Sequence, residues 1–292
     1  MMSDKQTTSN AMDRLYDSVM KKGPVCVGLD TQLKFLPACL QKQDYAEAEK
    51  LVMFNKRVID ATRDNAACFK VQIACYEALG LGGMQAYAET LRYARGKGCV
   101  VIADVKRGDI ASTGELYARA HFTGDFEADI ITINTYMGED ALSPYYPYIE
   151  RGKGVFVLVK TSNPHSGDVQ DLNCNGQTVY ERMARLVGEW GGAFIGESGF
   201  SAVGAVTGLT YPGEFAAIRD LMPNTCLLIP GYGAQGGTGK DIASFFKDGV
   251  RGVVNNSRGL LTAHKEKTER DDYDVYIRDA VCDMRRDIEQ WL

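Results

Sequence analysis

At 292 residues, with 33 basic against 38 acidic side chains and a formal net charge of −5, the chain lacks the broad basic surface of a nucleic-acid partner. Its 45% hydrophobic content and mean hydropathy of −0.22 fit a soluble globular protein, and no run approaches the ~18 uncharged apolar residues of a membrane span. Eight cysteines without a C-x-x-C spacing argue against a disulfide scaffold and for reduced thiols in the cytoplasm, leaving glycine, at 31 residues, as the one excess to be located.

Residues 1–11 are polar and lack the basic-then-apolar order of a signal peptide. They are set aside as an N-terminal extension, disordered or left from a cloning vector, and 12–292 is taken as one domain. Short apolar runs bounded by Gly, Pro or Asp then recur at 25–29, 68–72, 100–105, 130–134, 155–160, 203–208, 226–230 and 252–255, eight candidate strands. The stretches between them carry helical signals. Leu51, Phe54 and Val58 share a helix face, Ser112-Thr113-Gly114-Glu115 reads as a capping box, and Ile277, Val281, Met284, Ile288 and Trp291 keep helical spacing near the end. Runs such as VFVLV and CLLI are apolar on both faces, as parallel strands covered by helices require. Eight strand-then-helix units predict an α/β fold, a (β/α)8 TIM barrel in a single domain.

In such a barrel chemistry belongs at the C-terminal ends of the strands. The first three apolar strands end in charge: Asp30 after the first, Lys70 in the second with the neutral Gln72 on its face, and Asp104, Lys106 and Asp109 in and after the third. Asp104 and Lys106 are two apart, so both face one side of a strand, and Lys70, Asp104, Lys106 and Asp109 could converge on one small volume. A structural ion-pair network is the plain alternative, although buried pairs often stabilise no more than apolar replacements. Chemically, such a set offers a fixed anion beside a fixed proton donor.

The seventh strand runs into Pro230-Gly231-Tyr232-Gly233-Ala234-Gln235-Gly236-Gly237-Thr238-Gly239-Lys240, with five glycines, and the eighth ends in Asn255-Asn256-Ser257-Arg258-Gly259. Glycines let backbone N–H groups approach an anion and Arg258 can grip two phosphate oxygens, so this is the expected phosphate site, with a flexible connection as the alternative. Gly231-x-Gly233-x-x-Gly236 matches a dinucleotide fingerprint only formally, because that motif belongs at the first βα turn of its fold. Walker A, zinc spacings and a nucleophile elbow are all missed. After the fifth strand, Thr161-Ser162-Asn163-Pro164 opens a long polar loop that could lean over a ligand as a lid, its hydroxyls reading a polar ring edge.

Asp104-x-Lys106-x-x-Asp109 after Lys70, with Asp30 before and Pro230, Gln235 and Arg258 after, resembles the orotidine 5′-phosphate decarboxylase family. The A-D-V-K-R-G-D-I and P-G-Y-G-A-Q-G-G segments resemble its second bacterial subgroup. The resemblance implies that Lys106 protonates C6 of the pyrimidine beside Asp104, and that Lys70 and Asp30 bind the ribose and order the charges. It implies that Asp109, with Ile110 and Thr113, acts across a homodimer interface in the neighbouring site. Gln235 and Arg258, with Pro230 and Gly236, would hold the phosphate, and Ser162 with Thr161 would meet the pyrimidine amide edge. Gln72 stands where related enzymes place an Asn. The implied reaction converts orotidine 5′-phosphate to uridine 5′-phosphate and CO2 with neither metal nor organic cofactor.

Two rivals share parts of the pattern. A magnesium-dependent sugar-phosphate decarboxylase or aldolase of the same barrel suprafamily carries a carboxylate where this sequence has Lys70, and an ammonium repels a divalent cation. A non-catalytic phosphate-ligand-binding barrel would keep Gln235, Arg258 and the glycine loop but has no need of Lys106.

Overall fold

All eight apolar runs form strands in a computed structural model that describes residues 9–208, 218–233, 237–246, 249–268 and 270–292. They are β1 (Val25–Gly28), β2 (Cys68–Gln72), β3 (Val100–Arg107), β4 (Ile130–Ile133), β5 (Gly154–Lys160), β6 (Ser201–Thr207), β7 (Thr225–Pro230) and β8 (Gly252–Asn256). Every neighbouring pair is parallel, and β1 pairs with both β2 and β8, which closes the barrel. The principal helices are α1 (Ala11–Lys22), α2 (Glu47–Thr62), α3 (Gly80–Gly96), α4 (Ala111–Phe122), α5 (Val179–Gly191), α6 (Gly239–Phe245) and α7 (Tyr273–Glu289). Among the described residues no helix is long and apolar enough to cross a membrane.

Side-chain alternation separates two cores. Outward residues such as Val27, Val71, Val101, Val157 and Ala205 pack under the helices. Inward residues, among them Cys26, Cys68, Val100, Ile102, Ile130, Phe156, Leu228 and Val253, fill the barrel, and Met12, Leu15 and Val19 of α1 close its N-terminal end. Because successive side chains alternate across a strand, continuing the inward rows upward brings Lys70, Asp104 and Thr132 to the opposite mouth. The inward rows of β2, β3 and β4 thus switch from apolar to polar, and that switch marks one mouth of the barrel.

Two expectations are corrected at helix starts. Asn10 and Ala11, set aside with the extension, belong to the fold: Asn10 caps α1, its side chain accepting from the Met12 and Asp13 N–H groups while its own N–H donates to Asp13. Asp13 also accepts from the backbone and hydroxyl of Ser198, and a Cβ at Gly196 would fall 2.4 Å from both Asn10 and Asp13. The Ser112–Glu115 capping box does not form. Helix α4 begins earlier, at Ala111, behind Ile110 with no side-chain cap. Here tertiary contact decides, since Gly108 lies against the Asn134 carbonyl and Gly114 against Pro144. A capping box forms instead at Thr178 and Glu181 on α5.

The long loop after β5 has structure of its own. A short hairpin pairs Asn173–Cys174 with Gln177–Thr178 through Asn175 and Gly176, whose φ angles of 56° and 87° suit an Asn-Gly turn.

Candidate active site

One carboxylate organises the mouth of the barrel. Asp104, buried on β3, accepts four hydrogen bonds: from Lys70 Nζ at 3.0 Å, Gln72 Nε2 at 3.0 Å, Lys106 Nζ at 2.6 Å and Thr132 Oγ1 at 2.9 Å. Lys70 reaches the second carboxylate as well, with its Nζ 2.9 Å from Asp30 Oδ1. Burial alone would raise the Asp104 carboxyl, but the Lys70 and Lys106 charges and hydrogen bonds outweigh it and hold the group well below its ordinary value. Burial likewise pulls the Lys70 ammonium down, and the Asp104 and Asp30 charges reverse this, holding it above its ordinary value. Both groups are therefore charged throughout the physiological range.

Lys106 reaches Asp104 by a route that regular strand geometry does not supply. The β3–β4 register shifts between Ala103 and Arg107, and Lys106 has φ 45°, the left-handed region. Thr132 Oγ1 accepts from both the Val105 and Lys106 N–H groups at 3.0 and 2.9 Å, so one hydroxyl holds the bulge and also donates to Asp104. A non-glycine residue in this conformation costs roughly 1–2 kcal/mol. The bulge is a reason that the Lys106 side chain stays 47% accessible while Asp104 is buried beneath it.

Above these charges lies a cavity of about 450 Å³, lined on one side by Asp30, Lys70, Asp104 and Lys106 and on the other by Leu158, Val206 and Leu228. Thr161 and Ser162 of the β5 loop also face it. A second cavity of about 330 Å³ adjoins it, sharing Asp30, Pro230 and Asn255 and continuing to Tyr232, Lys34 and Arg258. Gly231 and Gly233, with φ 110° and 69°, turn the chain at this end. Asp287 of α7 accepts from Tyr232 Oη at 2.7 Å and from the Gly239 N–H at 2.8 Å, tying the glycine segment to the last helix. Arg258 is exposed, and its guanidinium makes no ion pair among the described residues. Gln235 and Gly236 lie outside the described residues.

Within the chain the structure brings together Asp30, Lys70, Gln72, Asp104 and Lys106, with Pro230, Arg258, Thr161 and Ser162 around the adjoining cavities. Asp109 does not join them. Its carboxylate accepts from the Ile110 N–H at 2.8 Å, and it pairs with neither lysine; Thr113 is exposed on α4 beyond it. The convergence of four charges is thus three within one chain, plus Asp30. Thr132, Asn255 and Lys34 were not singled out in the sequence. Thr132 was accessible to strand alternation, as the one hydroxyl two residues beyond inward-facing Ile130.

Behind Lys106, Arg107 donates through Nε to His121 Nε2 at 3.2 Å, so the proton of this buried imidazole sits on Nδ1, which has no partner among the described residues. Burial, reinforced by the Arg107 charge, pulls His121 from 6.5 down to about 4. The unfolded chain then takes up this proton before the folded one does. Stability is full above pH 6.5 and is lost as pH falls from 6.5 toward 4, by up to about 3 kcal/mol. Urea denaturation across that window should show the decline, and His121→Gln should flatten it. An equal slope in the variant would assign the loss to other groups.

The sequence pattern of the orotidine 5′-phosphate decarboxylase / HUMPS family matches residues 23–273. Orotidine 5′-phosphate decarboxylase of Clostridium perfringens (strain SM101 / Type A) is 48% identical over 280 residues, which cover 95% of this chain and 98% of the relative. Leishmania donovani OMP decarboxylase shares the fold at TM-score 0.76 and 30% identity, covering 97% of this chain and 98% of the other. Leishmania donovani UMP synthase gives TM-score 0.79 at 32% identity over 97% of this chain and 57% of the larger one. With a match that runs from before β1 into α7, the chain belongs to the orotidine 5′-phosphate decarboxylase / HUMPS family.

Proposed function

We propose that this chain converts orotidine 5′-phosphate to uridine 5′-phosphate and CO2, with no metal ion and no organic cofactor. The observation that carries the reading is Asp104, kept ionised by two ammonium groups on the wall of a cavity that continues into a glycine- and arginine-lined anion end. The phosphate occupies the Arg258 end and the ribose lies by Asp30 and Lys70. The pyrimidine then fills the larger cavity, with its carboxylate against Asp104 and its amide edge toward Ser162 and Thr161.

Binding energy gathered at the remote phosphate is used to hold like charges together at the reacting carbon. The C6–carboxylate bond breaks, its electron pair stays on C6, and CO2 leaves. The developing carbanion faces the Lys106 ammonium, which stabilises it electrostatically and transfers a proton to C6; the resulting amine recovers its proton from water. The buried Lys70–Asp104 pair fixes the carboxylate so that little reorganisation accompanies the charge movement.

The active unit is a homodimer in which Asp109 completes the neighbouring site. Ile110 and Leu116, which follow Asp109 in the chain, and Tyr136 and Met137 after β4 are exposed apolar side chains, and burying them is the natural driving force for pairing. The eight cysteines, none in a disulfide, suit a cytoplasmic setting.

A metal-dependent sugar-phosphate chemistry on this barrel requires a carboxylate where Lys70 stands. The buried Lys70 ammonium lies between Asp30 and Asp104, and its charge would repel a divalent cation brought to those carboxylates. The test is loss of orotidine 5′-phosphate absorbance on adding the protein in excess EDTA. Undiminished turnover is expected; turnover abolished by EDTA and restored by magnesium would overturn the cofactor-free mechanism.

A further inference from the structure

The last residue of β5, Lys160, is placed oddly for a strand under a helical layer: its side chain is only 2% accessible, yet it carries a charge. Its ammonium pairs with Asp171 in the β5 loop and sits 4.6 Å from the centre of the Tyr180 ring on α5. Gln170, the residue before Asp171, holds Thr161 at two points, accepting from its N–H at 2.9 Å and donating to its hydroxyl at 2.8 Å. The backbone is gripped from the other side as well. The Gly208 N–H donates to the Lys160 carbonyl at 2.8 Å, and a Cβ at Gly208 would lie 2.7 Å from Ser162 Cβ, so only glycine lets the β6 end approach so closely.

We propose that Lys160, Asp171 and Gln170 form a latch that folds the β5 loop back on its own start and thereby positions Thr161 and Ser162 over the pyrimidine end of the cavity. The inference rests on the decarboxylase reading and deepens it by naming positioning residues outside the charge network. Burial of a lysine is a poor way to gain stability, because taking its ammonium out of water offsets most of the attraction to a carboxylate that stays in contact with solvent. A latch has a different use for the pair. Lys160 belongs to the rigid barrel and Asp171 to the loop, so their contact fixes the loop relative to the strands. Gln170, the neighbour of Asp171, transmits that placement to Thr161. The phosphate end, built from β7 and β8, takes no part in this set of contacts.

The division of labour supplies the test. Asp171→Asn, Gln170→Ala and Lys160→Met are compared with the unmodified chain in kcat and KM for orotidine 5′-phosphate, and in inhibition by ribose 5-phosphate, which has no pyrimidine. A misplacement of about 1 Å costs on the order of 100-fold in rate, so kcat/KM should fall about 10- to 100-fold while the ribose 5-phosphate inhibition constant stays unchanged. Asp171 and Gln170 are not buried, so their variants carry the test even where Lys160→Met folds poorly. Unchanged kcat/KM in both, or an equal weakening of ribose 5-phosphate, would overturn the latch while leaving the decarboxylase reading standing. No turnover by the unmodified chain would overturn that reading, and the latch with it.

Discussion

Lys106→Ala should lower kcat by about 10³-fold or more while the protein stays folded and still binds uridine 5′-phosphate. Proton transfer by a placed group contributes typically 10²- to 10⁴-fold, and electrostatic stabilisation of developing charge adds to it. The fold is expected to survive because Lys106 is the exposed partner of Asp104. Its side chain is 47% accessible against 6% for Lys70, and Lys70, Gln72 and Thr132 remain on the carboxylate when Lys106 is lost. Removing Lys70 is a different experiment. It strips both Asp104 and Asp30 of their buried counter-charge, at a cost of about 3–5 kcal/mol. Single-turnover kinetics with a parallel nucleotide titration check the claim for Lys106. Near-normal turnover would overturn the assignment of Lys106 as the group that protonates C6.

The second large effect concerns Asp109, which sits beyond the cluster on the β3–α4 turn with its carboxylate on its own loop. Asp109→Ala is expected to be nearly inactive on its own, as Lys106→Ala is. Mixed in equal amounts and allowed to exchange subunits, the two should regain activity. About half of randomly assorted dimers are hybrids, and each hybrid holds one site with Lys106 from one chain and Asp109 from the other, so about a quarter of full activity is expected. The readout is turnover against the mixing ratio, with exchange followed by differently tagged chains. Exchange without recovery would place Lys106 and Asp109 in one chain's site.

The barrel was legible because each strand is a short run, apolar on both faces, closed by a turn residue, and parallel strands buried on both sides leave that trace. The charge cluster was legible for a related reason: a charged residue ending an apolar strand has few places to go except the mouth. Its geometry was less so. Two-residue spacing put Asp104 and Lys106 on one face, and they do meet, but through a bulge held by a threonine from the next strand, a non-local cause that no local pattern announces. The start of α4 was misjudged because Ser112 to Glu115 has the right letters for a cap, whereas the close approach of Gly108 to Asn134 fixes the turn. Asn10 was lost by being treated as foreign, although Asn10-x-x-Asp13 is itself a capping pattern. In the β5 loop, Asn175-Gly176 was a turn signal without the alternating apolar flanks that make a hairpin evident.

The left-handed backbone at Lys106 has a further consequence for how this position would drift under artificial selection. A lysine at φ 45° carries a conformational penalty that glycine avoids and asparagine reduces. A library screened for heat resistance alone should therefore enrich glycine or asparagine at 106, and one screened for growth without added uracil should keep lysine. The gap between the two outcomes would measure, at a single residue, how much robustness the protein forgoes to keep its ammonium in place.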